Sequence, residues 1–240
     1  MKRRKAGIGI FVIVLIITAV RVKSMDSHRI SGRILAENIA GPGMLRLVEQ
    51  SMQARARKTS VTEIAVKERK HPQAALTFDD GPDIRYTPLL LDGLKERNVR
   101  VSFFLLGEKV EQYPELVERM QKEGHLVGNH TYHHVQLNKL NETKAREEIL
   151  KTNNLIYETT GVYPLYLRPP SGAWQKNLDL CLEMLPVFWT IDTLDWKVQN
   201  TEKIVRPVQE TQEDAALIMM HDEYDTSVKA ALPGLDELQN

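Results

Sequence analysis

Two adjacent carboxylates stand in the sequence TFDDGP, at residues 77–82, where a short apolar run meets a Gly-Pro turn. Asp79 and Asp80 repel each other as neighbouring like charges, and such a pair is favourable where it binds a positive group. The apolar run before them predicts a strand, and the turn after them predicts its end. We therefore expect both carboxylates at a strand end, beside a cation.

A second group of side chains suited to metal chemistry stands in the sequence GNHTYHH, at residues 128–134. His130 and His134 are four residues apart, so on a helical turn both imidazoles would project to one side and share a metal. Asp80 is the natural third ligand. His133 leaves a second possibility open, because a pair three residues apart would also share one face. The residue types predict a site of two histidines and one carboxylate.

Beyond Pro72 the sequence alternates short apolar runs with amphipathic stretches, which predicts strands alternating with helices in a parallel sheet. In barrels and open α/β sheets, ligands bind and chemistry occurs at the carboxyl ends of the strands. The predicted strands are residues 75–78, 101–106, 126–127, 166–167, 187–191 and 216–220, and the predicted helices include residues 88–97, 113–123 and 144–159. The polar residues at these strand ends are Asp79, Asp80, Asn129, His130, Arg168, Asp192, His221 and Asp222.

Composition limits the number of domains and the possible partners. A chain of 240 residues with 42% hydrophobic residues can fill one sizeable core, which predicts a single domain with an extension. The net charge is zero, but residues 1–73 contain 15 of the 32 basic residues and only 5 of the 32 acidic ones. The acidic remainder would repel phosphate backbones, so we expect no nucleic-acid partner. The single cysteine, Cys181, excludes an intramolecular disulfide.

The amino-terminal part predicts contact with a membrane. Four basic residues at positions 2–5 precede fifteen uncharged, largely apolar residues, 6–20, and Arg21 and Lys23 follow closely. We expect residues 1–24 to be an uncleaved anchor that leaves the rest of the chain outside the cell. A cleaved signal peptide, which would make the protein secreted, and a buried core helix are the alternatives.

Residues 25–71 are polar and basic, and they predict a stalk between the anchor and the catalytic domain at residues 72–240. The alternative is that residues 62–66 add an edge strand to that domain.

Five blocks of sequence, TFDDGP, HTYHH, LRPPSG, DTLDW and MMHD, occur in this order. Together they resemble the polysaccharide deacetylase family, the carbohydrate esterases with a NodB-type domain, over residues 74–235. The resemblance implies a distorted (β/α) barrel, a bound divalent metal and the removal of acetyl groups from sugars. Zinc is the metal we expect, although two histidines and a carboxylate also admit cobalt, nickel or iron.

The resemblance also implies a role for residues on one side of the substrate. Asp79 would be the general base that takes a proton from the attacking water, and Arg168 would pair with it and keep it ionised and oriented. The implied metal ligands are Asp80, His130 and His134.

On the other side of the substrate, the resemblance implies that His221 is the general acid that protonates the leaving amine. Asp195 would raise the pKa of His221 by charge pairing. Trp196 and Met219 would line the pocket for the acetyl methyl group. Ser171 stands where the family usually has a tyrosine, so a backbone N–H can still help the oxyanion, but the ring that would contact the sugar is lost.

The family pattern normally runs on beyond the position of Asn240 into a last strand. We therefore expect a barrel without its closing strand, with an open seam beside residues 74–79. The function we expect is removal of acetyl groups from a polysaccharide that contains N-acetylglucosamine, with peptidoglycan as the polymer. The alternative is a catalytically impaired cell-wall-binding or scaffolding protein with a truncated barrel.

Overall fold

The computed structural model describes residues 74–174, 182, 184–211 and 215–238. The predicted anchor at residues 1–24 and the predicted stalk at residues 25–71, with the alternative edge strand, lie outside the described residues. Among the helices that the structure does describe, none combines the length and the apolar character needed to cross a membrane.

The described strands form one sheet in which every pairing is parallel, as the alternating pattern predicts. The strands are β1 (Ala74–Asp79), β2 (Ser102–Leu105), β3 (Leu126–Asn129), β4 (Tyr166–Leu167), β5 (Leu185–Pro186), β6 (Ile191–Asp192) and β7 (Ala216–His221). Their spatial order is β5-β4-β3-β2-β1-β7-β6.

The sheet curls into a half-barrel, because the chain itself joins its two edges. Strand β5 pairs with β4 at one edge, β6 pairs with β7 at the other, and only residues 187–190 separate them. Five Cα–Cα steps span at most about 19 Å. In a flat sheet, six strand spacings would separate these edges by about 29 Å. The connection is therefore too short for a flat sheet.

Two expectations about the sheet are wrong. The predicted open seam beside β1 is absent, because β1 pairs with β2 on one side and with β7 on the other. The sheet edges are β5 and β6 instead. Residues 187–191 also do not form one strand. The Val187 N–H donates to Leu167 O of β4, near one edge of the sheet, and the Thr190 N–H donates to Leu217 O of β7, near the other edge. An apolar run does not reveal which neighbour each of its residues pairs with.

Local sequence signals set the ends of the long helix α4 (Glu142–Thr160). Asn141 precedes its first residue, and the Asn141 side chain accepts a hydrogen bond from the Lys144 N–H at 2.9 Å. Gly161 follows its last residue at φ 70°, a left-handed conformation that favours glycine. The helices are α1 (Thr87–Glu96), α2 (Gly107–Gln112), α3 (Pro114–Lys122), α4 (Glu142–Thr160), α5 (Asp195–Val198), α6 (Thr201–Glu210) and α7 (Asp225–Leu238), with 3₁₀ turns at Leu137–Lys139 and Pro170–Gly172.

The main hydrophobic core lies between the central strands and the helices that cover them. Phe78 of β1 stacks on Phe103 of β2 with ring centroids 5.6 Å apart, and both side chains are fully buried. Leu90 and Leu94 of α1 pack into the same cluster. This core fixes the strands whose carboxyl ends carry the polar residues.

Replacing Leu90 by alanine should destabilise the protein by about 2–5 kcal/mol, because the side chain is completely buried and its loss leaves a cavity. Leu89→Ala is the matched control, since this neighbouring leucine on α1 is 55% exposed, and it should change stability by less than about 0.5 kcal/mol. Urea unfolding of the two variants measures the difference. Equal losses would contradict the orientation of α1.

Candidate active site

The register of the central strands places the two proposed proton-transfer residues side by side. Asp79 of β1 is the direct partner of His221 of β7, and each is the last residue of its strand. Asn129, the last residue of β3, pairs with Leu167 of β4, so the residues that follow them leave the sheet at the same carboxyl end of the strands. The polar residues at the ends of β1, β3, β4 and β7 therefore meet at one rim, as the sequence pattern predicts.

Arg168 lies beneath this rim with no exposed surface. Its Nη1 donates to Asp79 Oδ1 at 2.6 Å and to Thr77 Oγ1 at 2.7 Å. Thr77 in turn donates to the Ile218 carbonyl oxygen. The guanidinium carbon lies 4.1 Å from the centroid of the Phe104 ring, a cation–π distance. Arg168 thus fixes one oxygen of Asp79 and leaves the other facing the cluster that contains His130, whose Nε2 is 3.9 Å away.

The two adjacent carboxylates diverge because the backbone turns sharply between them. Asp80 has φ 68°, in the left-handed region, which directs its side chain away from that of Asp79. Gly81 follows, and a Cβ at this position would lie only 2.3 Å from a carboxylate oxygen of Asp222. The close approach of the Asp222 carboxyl group therefore requires glycine here.

Asp80, His130 and His134 are brought together, with one ligand atom from each lying within 4.8 Å of the others. The Nε2 atoms of His130 and His134 lie 3.3 Å and 3.5 Å from Asp80 Oδ1. The histidines stand on an irregular loop after β3, so the helical turn expected from their spacing is wrong. His133 points elsewhere: its side chain is 59% exposed and bonds Glu148.

The donor set of this cluster fits a divalent cation. Asp80 Oδ1 is buried and has no hydrogen-bond partner. His130 Nδ1 lies 2.6 Å from the Arg168 carbonyl oxygen, which can only accept, so Nδ1–H donates, and in the neutral imidazole the lone pair of Nε2 faces Asp80. A carboxylate oxygen and imidazole nitrogens that converge in this way are typical ligands of zinc and related metals.

The electrostatics of the cluster also favour a cation. Burial acts to raise the pKa of Asp80, but the three nearby imidazoles, His130 first and then His134 and His221, outweigh burial when they are protonated and hold that pKa well below its usual range. Burial lowers the pKa of His134, which favours the neutral imidazole. An ionised carboxylate and a neutral imidazole are the protonation states that bind metals.

His221 and Asp195 form a buried pair on the other side of the cluster. His221 Nδ1 donates to Asp195 Oδ1 at 2.8 Å, and Asp195 Oδ2 accepts from the His221 N–H and from the Ser227 hydroxyl. Burial acts to lower the pKa of His221, but the hydrogen bond and charge of Asp195, together with Asp80 and Asp79, raise it to about 9. The Nε2 of His221 lies 3.8 Å from Asp80 Oδ2, next to the cluster of Asp80, His130 and His134.

The remaining predicted residues surround this rim at different depths. Met219 is buried on β7, whereas Trp196 is 48% exposed on α5 and is therefore not an ordinary core residue. Ser171 is exposed at φ 55° in the 3₁₀ turn after β4. Asp192, for which the sequence gives no role beyond capping a loop, accepts a hydrogen bond from the Leu194 N–H at 2.8 Å.

Several residues that support the site were given no role from the sequence. Asp222 is completely buried, and Thr87 donates to its Oδ2 at 2.5 Å. Burial raises the pKa of Asp222 to about 7, against the effect of the Thr87 hydrogen bond and the Lys109 charge. Its position directly after His221 was a usable signal. Glu148 and Ser227 gave no signal, because each looks like an ordinary helix residue.

Comparisons with known proteins agree with this arrangement. The polysaccharide deacetylase family model matches residues 66–188. The peptidoglycan-N-acetylglucosamine deacetylase of Bacillus cereus is 39% identical over 169 residues, which cover 69% of this chain and 62% of that protein. The chain thus spans less than two thirds of that relative's length.

Solved structures share the fold. The structure of the peptidoglycan deacetylase PdaC from Bacillus subtilis is 38% identical, with a TM-score of 0.68 over 70% of this chain and 83% of that one. The structure of BA3943 from Bacillus anthracis, described as a CE4 family pseudoenzyme, is 26% identical, with a TM-score of 0.65 over 69% of this chain and 59% of that one. The family match, the shared half-barrel and the sequence identities lead to one conclusion: this chain belongs to the polysaccharide deacetylase family.

Proposed function

We propose that this protein is a metal-dependent hydrolase that removes acetyl groups from N-acetylglucosamine units of peptidoglycan. The observation that carries this proposal is the position of the Asp80–His130–His134 cluster between two buried pairs. One pair joins Asp79 to Arg168 and the other joins His221 to Asp195. A hydrolase of amides needs a proton acceptor on one side of the scissile bond and a proton donor on the other, and these pairs can supply them.

The cluster would hold one divalent cation, through Asp80, His130 and His134, and we propose zinc. When bound, such an ion supplies Lewis-acid activation of water and of the acetyl carbonyl group. Cobalt, nickel and iron fit the same ligand types, so the choice of zinc rests on the availability of the metal and not on the ligands.

The protein's own side chains would transfer the protons. Asp79 takes a proton from the attacking water through the oxygen that Arg168 leaves free. His221, with Nδ1 held by Asp195, donates the Nε2 proton to the leaving nitrogen. The C–N bond of the acetamido group breaks as a C–O bond to the water oxygen forms, which releases acetate and a free amine. The N–H of Ser171 would help to stabilise the oxyanion, and Trp196 and Met219 would contact the acetyl methyl group.

The substrate and the location are parts of the proposal. The B. cereus and B. subtilis relatives are named peptidoglycan deacetylases, which supports an acetylated cell-wall polymer as the substrate. We propose that the amino-terminal segment anchors the protein to the membrane with the catalytic domain outside, because four basic residues precede its apolar run.

The fold alone does not distinguish an enzyme from an inactive relative, since one protein of similar structure is described as a pseudoenzyme. The distinction depends on Asp79, His221 and the three residues of the cluster, all of which are present here. The experiment is acetate release from peptidoglycan by the purified full-length protein, with chelator, without chelator, and with zinc restored. We expect activity that chelator removes and zinc restores. No acetate under any of these conditions would favour a wall-binding or scaffolding protein.

Replacing Asp80, His130 or His134 by alanine should remove activity and weaken zinc binding. The loss of affinity should exceed the ~10–100-fold loss that follows removal of a residue supporting a metal ligand. His133→Ala is the matched control in the same loop, and it should retain bound zinc because its side chain points to Glu148. Zinc content after dialysis measures the outcome. Zinc loss in His133→Ala with retention in His134→Ala would show that the wrong histidine has been assigned.

The pH dependence of activity should reveal the His221–Asp195 pair. The acid form of His221 is lost as pH rises through its pKa, and the Asp195 carboxylate raises that pKa. Asp195→Asn removes the charge, so the alkaline limb of kcat should move to lower pH by about 1 unit or more.

Asp192→Asn is the control for this experiment, because the Asp192 carboxylate bonds the Leu194 N–H. It should leave the alkaline limb in place. An unchanged limb in Asp195→Asn would exclude His221 as the group that titrates there.

A further inference from the structure

Glu148, near the middle of α4, holds the loop that carries both histidines of the cluster. We call residues 130–135 the ligand loop. The Tyr132 and His133 N–H groups donate to Glu148 Oε2 at 3.0 Å and 2.9 Å. His133 Nδ1 donates to Oε1 of the same carboxylate at 2.7 Å. One side chain thus accepts three hydrogen bonds from two consecutive residues of the loop.

The ligand loop depends on such contacts because it has no regular secondary structure. Thr131 and His134 have φ 68° and φ 55°, which non-glycine residues adopt when surrounding contacts hold them there. The Thr131 N–H donates to Asn129 Oδ1, and the Val135 N–H donates to the Thr131 hydroxyl. These bonds fix the two ends of the loop, and Glu148 fixes its middle.

The middle of the loop is the part that sets the relative positions of the two ligands. Tyr132 and His133 are two of the three residues between His130 and His134, so fixing their amides limits the directions in which both imidazoles leave the backbone. Helix α4 also binds the residue that directly precedes the ligand loop. The Asn129 side chain donates to the Ile149 carbonyl oxygen at 2.8 Å, one residue after Glu148.

We propose that Glu148 is a positioning residue, which presets the ligand loop so that His130 and His134 converge with Asp80 before the metal binds. In this arrangement His133 is a hydrogen-bond partner of Glu148 and not a metal ligand. The inference rests on the proposed metal site and adds to it the element that organises two of its ligands.

Zinc affinity, measured by competition with a chromophoric chelator, tests this role with a readout that does not depend on catalysis. Glu148→Ala should weaken zinc binding about 10–100-fold, the usual effect of removing a residue that orients metal ligands. Glu148→Gln should bind zinc nearly as the wild type does, because an amide oxygen can still accept both main-chain N–H groups. Glu147→Ala is the matched control, since Glu147 is the exposed neighbour on the same helix.

A double variant separates the main-chain bonds from the imidazole bond. In a His133→Ala background, Glu148→Ala should still weaken zinc binding, because the bonds from the two N–H groups remain to be lost. Thermal melting of the metal-free proteins identifies a variant that fails to fold. If Glu148→Ala fails to fold, Glu148→Asp replaces it in the test, because the shorter side chain withdraws the carboxylate by one methylene group. The zinc affinity of Glu148→Asp should then fall below that of Glu148→Gln.

Two results would overturn the inference. One is equal zinc affinity in Glu148→Ala, Glu147→Ala and the wild type, which would leave the proposed metal site intact. The other is a wild type that binds no zinc, which would contradict the metal site together with this inference. The wild-type titration therefore distinguishes failure of the inference from failure of the proposed function.

Discussion

The buried charge of Arg168 is the constraint on which the rest of the site depends. A guanidinium without exposed surface is stable only where a counter-charge and hydrogen-bond acceptors surround it, and removing one partner of such a pair typically costs about 3–5 kcal/mol. Asp79 supplies the counter-charge, and Thr77 supplies a second hydrogen-bond acceptor. The aromatic ring of Phe104 packs against the guanidinium group. The carbonyl oxygen of Arg168 also sets the tautomer of His130. One residue thereby links the proposed proton acceptor, Asp79, to a proposed metal ligand, His130.

The curled parallel sheet makes this arrangement possible. Because β1 lies between β2 and β7, the strand that ends in Asp79 is paired on both sides and cannot shift its register without breaking both ladders. The same register places His221 beside Asp79, and Asp195 holds the His221 ring from α5. Asp79 and His221 therefore occupy neighbouring strands, and each has a buried partner of opposite charge, Arg168 for Asp79 and Asp195 for His221.

Sequence alone predicted the parallel sheet and the residues of its rim, because apolar periodicity and strand-end polar residues are local signals. It did not predict which strands are edges, since the run at residues 187–191 divides between the two sides of the sheet. It left His133 and His134 as alternatives because spacing cannot describe a loop with left-handed residues. The role of Glu148 was out of reach, because an acidic residue on an amphipathic helix looks the same whether it faces water or a loop.

In the proposed function, a metal binds among Asp80, His130 and His134, beside Asp79 and His221. Anomalous scattering at the zinc edge, from crystals of the zinc-loaded protein, tests this claim directly. We expect one strong peak per chain at about 2.0–2.2 Å from an Asp80 oxygen and from the Nε2 atoms of both histidines. A peak between His133 and Glu148, or no peak at the rim of the sheet, would contradict it.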